Sequence, residues 1–166
     1  MIQLRIFVVS DTHGSTRELI KEINSMEKPD LIIHLGDYVE DGIKIGKVIG
    51  VETIIVKGNG DYFYPNYNED EILTIENKKI FITHGHKYNV RYGEDNLIYK
   101  GMELNADLIL FGHTHVPLFF EESGIIVMNP GSPTLPRGFN GKKTFGIIEI
   151  GDEIIGEIIE IKEEIS

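Results

Sequence analysis

Five short motifs follow one another along the chain, each directly after an apolar run: Asp11-Thr12-His13, Gly36-Asp37, Gly58-Asn59, His84-Gly85-His86 and Gly112-His113-Thr114-His115. They offer carboxylate oxygen, imidazole nitrogen and a neutral amide oxygen, a set that suits divalent manganese, iron, cobalt, nickel or zinc. The chain has no cysteine, so a thiolate metal site and a disulfide are both excluded. Asp-x-His and His-x-His are useful spacings because alternate residues of an extended segment point the same way. A glycine beside a ligand lets the backbone turn tightly or pass close to a neighbour. Singly, each motif is weak: Gly-Asp is an ordinary turn dipeptide, and one histidine after a strand is more often structural. Their joint order is far more specific.

The elements that must position these residues are legible from periodicity. Residues 4–9 read as a buried strand, and Gly14-Ser15 with Glu18 reads as a capping box opening a helix whose inner face is Leu19, Ile20, Ile23 and Met26. A second apolar run, Leu31 to Leu35, ends in Gly-Asp. A helix carrying Ile43, Ile45, Val48 and Ile49 leads to a third strand, Thr53 to Val56, ending in Gly58-Asn59. After the aromatic loop Tyr62 to Tyr67, runs at 71–75 and 79–83 form a hairpin across Asn77-Lys78. A helix at 94–104 precedes a strand at 108–111, and short strands at 117–120, 125–128, 143–150 and 153–160 follow. The order, βα units first and mostly antiparallel strands later, predicts two packed sheets with helices outside. The motifs then collect beyond the carboxyl ends of strands, where loops converge in layered α/β proteins.

Composition bounds the rest. A chain of 166 residues, 41% hydrophobic and 26% charged, is expected to form a single domain over 1–166. No apolar run approaches the roughly 20 residues that span a bilayer, and the N-terminus reads without a secretory leader, so the expected location is cytoplasmic with no membrane partner. The formal charge of −11 argues against gripping duplex nucleic acid, which rests on clustered Lys and Arg. An anionic substrate needs a local positive centre to override that field, and two divalent cations would supply one.

The ordered set D-x-H, G-D, G-N, a lone His and G-H-x-H resembles the calcineurin-like metallophosphoesterase superfamily over essentially the whole chain, in the compact form of its small prokaryotic phosphodiesterases. The resemblance implies an α/β fold, a pair of mixed β-sheets sandwiched between helices in four αββα layers. It also implies two divalent metal ions, manganese foremost, with nickel, iron, cobalt or zinc as alternatives. Carried over by motif, the first metal takes Asp11, His13 and His115, the second takes Asn59, His84 and His113, and Asp37 bridges them. The implied chemistry is hydrolysis of a small phosphate ester, most of all a phosphodiester, by hydroxide held between cations about 3.5–4 Å apart.

One departure matters. Many relatives read G-N-H at the third motif, with that histidine near the leaving-group oxygen, whereas this chain reads Gly58-Asn59-Gly60-Asp61. A missing general acid costs ~10²–10⁴ in rate for poor leaving groups and much less for good ones, so esters with good leaving groups are the expected substrates. His86 is one substitute acid, against a surface or supporting role; Asp61 is another, against an ordinary turn carboxylate. Asn59 and Arg137 are the candidate substrate-binding residues, Arg137 through its planar fork, with a solvated loop charge as the alternative. His34, inside an apolar strand, reads as a core or hydrogen-bonded histidine. The Tyr62 to Tyr67 loop fits a nucleoside base, a homo-oligomer contact or plain packing.

Three rival functions stay open at this level. A retromer subunit of the same fold acts mainly as a protein-interaction scaffold, and the vacant acid position at Gly60 with the apolar run Leu118-Phe119-Phe120 keeps that reading alive. A nuclease acting processively or on duplexes is disfavoured by acidity and size, while a dinucleotide or cyclic nucleotide still fits. A phosphomonoesterase of the phosphoprotein type would carry D-R-G after its G-D motif, whereas Asp37 is followed by Tyr38-Val39.

Overall fold

The computed structural model describes residues 3–138 and 141–162. Strand β1 (Leu4–Val9) leads to helix α1 (Arg17–Asn24), β2 (Leu31–His34), α2 (Val39–Ile49) and β3 (Glu52–Ile55). A hairpin of β4 (Asp70–Ile75) and β5 (Lys78–Thr83) follows, then two short 3-10 turns at His86–Tyr88 and Val90–Tyr92, and helix α3 (Asp95–Leu104). The chain ends in β6 (Leu108–Leu110), β7 (Leu118–Glu122), β8 (Ile125–Asn129), β9 (Thr144–Ile150) and β10 (Ile154–Glu160).

Two five-stranded sheets result, ordered β10-β9-β1-β2-β3 and β4-β5-β6-β8-β7. Both are mixed, as expected, and the expected layers form. The later strands are less antiparallel than their order suggested: β5 pairs with β6, and β6 with β8, in parallel. The chain between β5 and β6, which includes α3, is long enough for a parallel crossover, while β9 returns to the first sheet beside β1.

Alternation within the strands explains the layering. Ile6, Val8, Ile33, Ile80, Leu110 and Met128 fill the seam between the sheets. Phe7, Val9 and Ile32 face outward, against Leu19 and Ile23 of α1 and Ile45 of α2. Phe81, Ile109 and Val127 meet Leu97 and Ile98 of α3 on the other outer face. Central strands buried on both sides must be apolar at every position, which is why these runs read as continuous rather than alternating. Of the run at 118–120, Leu118 and Phe120 pack against the α3 cluster, and Phe119 lies against Gly156 of β10.

The capping box does not form. Thr16 is the residue before α1 and makes no side-chain cap hydrogen bond, and Glu18 instead meets Lys143 at 3.2 Å. Among the described residues, no helix is long and apolar enough to cross a membrane.

Candidate metal centre

The first sheet delivers Asp11 and His13 beyond β1 and Asp37 beyond β2; the second delivers His84 beyond β5 and His113 and His115 beyond β6. These six side chains converge at one edge of the two sheets. Asp11, Asp37, His84 and His115 are buried, and His13 and His113 are half-buried.

Sharp reversals aim them. Asp11, His13, Asp37, His113 and His115 all have positive φ, between 48° and 73°. Such backbone is uncommon for residues with a Cβ and costs of order 1–3 kcal/mol each, so the surrounding contacts must over-determine it. Gly36 has φ of 102°, and a Cβ there would stand 2.5 Å from the Gly58 nitrogen, so only glycine lets the second and third motifs touch. Gly112 plays the same part between β6 and β1, where a Cβ would meet the Ser10 hydroxyl and Asp11 Oδ2.

Two imidazole pairs face one another. His13 Nε2 lies 3.3 Å from His115 Nε2, and His113 Nδ1 lies 3.2 Å from His84 Nε2. Asp37 stands between the pairs, with Oδ2 3.7 Å from His13 Nε2 and Oδ1 3.6 Å from His84 Nε2. Asp11 Oδ1 lies 3.3 Å from His115 Nε2, 3.7 Å from His84 Nε2 and 3.9 Å from His13 Nε2. Donors about 2.0–2.2 Å from a shared cation stand roughly 3 Å apart, so these separations are close to those of a coordination shell.

The donor set fits divalent cations on two further counts. Asp11 Oδ1 is a buried carboxylate oxygen without a hydrogen-bond partner, an expense a protein bears where an ion is to sit. Its other oxygen accepts from the Ser10 hydroxyl and, at 2.9 Å, from the His113 N–H. The tautomers are also set: His84 Nδ1–H donates to the Leu35 carbonyl at 2.8 Å and His115 Nδ1–H to the Leu135 carbonyl at 2.7 Å. Each thereby turns an Nε2 lone pair inward. Burial pushes the Asp11 carboxyl up, but His115, His84 and Ser10 outweigh it and hold it well below the usual carboxylate range. His115 gains the reciprocal effect: burial opposes its charge, and Asp11 raises its pKa nonetheless. His113 is pushed down to about 4, by burial first and then by His84 and Arg91.

Asn59, the remaining expected ligand, lies exposed in the turn wrapped around Asp37, and its side chain makes no hydrogen bond among the described residues. Gly60 N–H, rather than a side chain, reaches Asp37 Oδ1 at 3.0 Å. His86 is half-buried beside His84, with Nε2 3.8 Å from Glu69 and Nδ1 unpartnered. Arg137 is exposed, and its N–H donates to the His115 carbonyl at 2.9 Å. His34 is buried and hydrogen-bonded, as its strand position suggested. Gly36 N–H donates to Nδ1, so Nε2–H donates to Thr12 Oγ1 at 3.0 Å.

Asp61 does more than an ordinary turn carboxylate, because both its oxygens are taken up by backbone donors. Oδ1 accepts the N–H groups of Tyr38 and Val39 at 2.8 and 3.0 Å, and Oδ2 those of Asp37 and Gly58 at 2.9 and 2.7 Å. It therefore caps α2 from another loop and pins the backbone that carries Asp37. Sequence reasoning passed over three more supporting residues. Asn129 donates to the Gly112 carbonyl and to Thr114 Oγ1, Ser132 donates to the Asp11 carbonyl at 2.8 Å, and Asp41 accepts from Gly14 N–H at 2.7 Å. A cluster of turn-forming polar residues, Asn129-Pro130-Gly131-Ser132, was the only signal for the first two.

Residues 4–153 match the calcineurin-like phosphoesterase superfamily domain. The chain belongs to that family. It is 35% identical over 161 residues to a probable metallophosphoesterase of Methanocaldococcus jannaschii, covering 95% of this chain and 82% of that one. It is 30% identical over 173 residues to a phosphodiesterase of the same organism, covering 94% and 99%. In fold it is similar to a predicted phosphoesterase of Streptococcus pneumoniae, with a TM-score of 0.82 at 30% identity, covering all of this chain and 94% of that one. Vps29 of Entamoeba histolytica, solved with zinc, shares the fold at a TM-score of 0.77 and 23% identity, covering 96% and 100%. The enzyme class expected from the motifs, a metal-dependent phosphoester hydrolase, is the class these family and relative names state.

Proposed function

We propose that the chain hydrolyses phosphodiesters of small substrates in the cytoplasm, using two divalent cations, manganese foremost. The observation that carries this reading is the pair of facing imidazole couples with Asp37 between them, one carboxylate oxygen toward each. Asp11, His13 and His115 would hold one cation, His84, His113 and Asn59 the other, and Asp37 would be shared. Bound there, the cations would acidify a common water and hold the phosphoryl oxygens in line with it.

The chain's own residues do the rest. Leu35 and Leu135 carbonyls keep the His84 and His115 lone pairs inward. Asn59 would meet the reacting phosphoryl group, and the exposed Arg137 would bind a phosphate of the substrate through its planar fork. His86 is the group that delivers a proton to the leaving oxygen, in place of a side chain at Gly60. Burial holds the His86 pKa below its ordinary value, so its charged form is scarce at neutral pH, and esters with good leaving groups should turn over best. The names of the relatives favour this reading over a scaffold; of the apolar run, Leu118 and Phe120 pack against the α3 cluster while Phe119 stays 42% exposed.

The test is turnover of bis-nitrophenyl phosphate with and without manganese, in the native chain and in Asp37→Asn. Metal-dependent hydrolysis that falls at least ~100-fold in the variant is expected. Absence of metal-dependent turnover in both would sink the reading, and faster hydrolysis of nitrophenyl monophosphate would move it to a monoesterase.

A further inference from the structure

A recess of about 330 Å³ opens next to His113, lined by Arg91, Glu94, Thr114, Val116, Leu118 and Arg137. It brings together two of the chain's four arginines, from segments 46 positions apart (137 − 91), on a protein of net charge −11. Both are exposed, and among the described residues neither is paired with a carboxylate. Arg91 belongs to the 3-10 turn at Val90–Tyr92, anchored by the buried side chain of Val90, so its backbone is held at the mouth of the site. Its Nε donates to His113 Nε2 at 3.2 Å, while Nδ1 of the same ring faces His84. The guanidinium thus stands on the far side of a candidate ligand ring, beside the acidic cluster and not inside it.

That offset decides what Arg91 can recognise. A phosphoryl group held among Asp11, Asp37 and the imidazoles would meet the inner edge of the His113 ring, whereas Arg91 stands at its outer edge and faces a neighbouring group. A second anion beside the first would fall between Arg91 and Arg137, whose planar forks match phosphate oxygens two at a time. On the proposed phosphodiesterase reading, we infer that Arg91 and Arg137 clamp a second phosphate of the substrate, so that the natural class is a phosphodiester bearing a further phosphate. Thr114 offers a hydroxyl to the same group, and Val116 and Leu118 floor the recess for the carbon skeleton between the two phosphates. Glu94 lines the recess as well and supplies its one carboxylate.

Two nitrophenyl diesters differing only in the second phosphate test this: thymidine 5′-(nitrophenyl phosphate) with and without a 3′-phosphate. The native chain should prefer the 3′-phosphorylated ester about 10-fold to 100-fold in kcat/KM, mainly through KM. Arg91→Gln and Arg137→Gln should each remove most of that preference, while Arg17→Gln, on the exposed side of α1, should keep it. A second readout is calorimetric binding of inorganic pyrophosphate to metal-stripped protein, expected to weaken about tenfold in Arg91→Gln. No preference in the native chain, or an equal preference in Arg91→Gln, overturns the clamp. If neither ester turns over yet pyrophosphate binding still depends on Arg91, the phosphodiesterase reading fails and the clamp stands.

Discussion

Replacing Asp61 by Asn tests how the Asp37 loop is held. The carboxylate accepts four backbone N–H groups, two on each oxygen. An amide keeps one acceptor and turns an NH₂ toward either the Asp37 and Gly58 pair or the Tyr38 and Val39 pair. Two charge-assisted bonds are then lost and donors face donors. At ~1.5–3 kcal/mol per bond the raw cost is about 3–6 kcal/mol, and local relaxation returns part of it, leaving roughly 3–5 kcal/mol. For a chain of this length that is a fall in Tm of roughly 6–20 °C. Urea unfolding of metal-stripped protein reads the stability term without contribution from bound ions, and a manganese titration reads the second consequence. Because either arrangement frees the backbone at or next to Asp37, metal affinity should fall about tenfold or more even though Asp61 touches no candidate ligand atom. A midpoint shift equivalent to less than about 1 kcal/mol, with unchanged manganese affinity, would refute the assignment of Asp61 as the clamp of this loop.

Three further outcomes are expected. His34 has its pKa pushed from 6.5 down to about 4 by burial. Below pH 6.5 the unfolded chain therefore binds the proton more readily, and stability should drop by roughly 3 kcal/mol as pH falls from 6.5 to 4. Urea midpoints across that window should show a shallower slope for His34→Asn, and identical slopes would contradict the buried neutral imidazole. Manganese at about 100 times its Kd should stabilise the native chain by ~2.7 kcal/mol, and Asp37→Asn should lose most of that rise in a thermal melt. Ser132→Ala removes the donor to the Asp11 carbonyl and the acceptor of the Thr134 and Leu135 N–H groups, so it should cost about 1–3 kcal/mol in urea unfolding.

How much of the site was readable depended on the kind of residue. The metal-type donors were legible because each motif follows an apolar strand at once, and a strand that ends at a sheet edge delivers the next residue to that edge. Asp61 and Ser132 were not, because a carboxylate or hydroxyl that serves backbone N–H and C=O groups has no characteristic spacing; its partners are whichever loops arrive. Ser132 meets the carbonyl of Asp11 across 121 positions, and Asp61 meets Asp37 N–H across 24. The capping box failed for a related reason: Glu18 matched the local pattern, but Lys143 brought by β9 offered an opposite charge.

Local chemistry therefore set the elements, their layering and the order of the donors, since burial on one or both faces writes a period into the chain that can be read without coordinates. It also supplied the family resemblance and, through Gly60, the gap where an acid would stand. Tertiary structure alone decided which donors face one another. The left-handed turns at Asp11 and His113 meet across the two sheets, where His113 N–H donates to Asp11 Oδ2, and the one at Asp37 is pinned by Asp61 from the next loop. Arg91 beside Arg137 is likewise a product of folding, because a shared recess between distant loops is a property of how the strands end in space, and no local pattern encodes it.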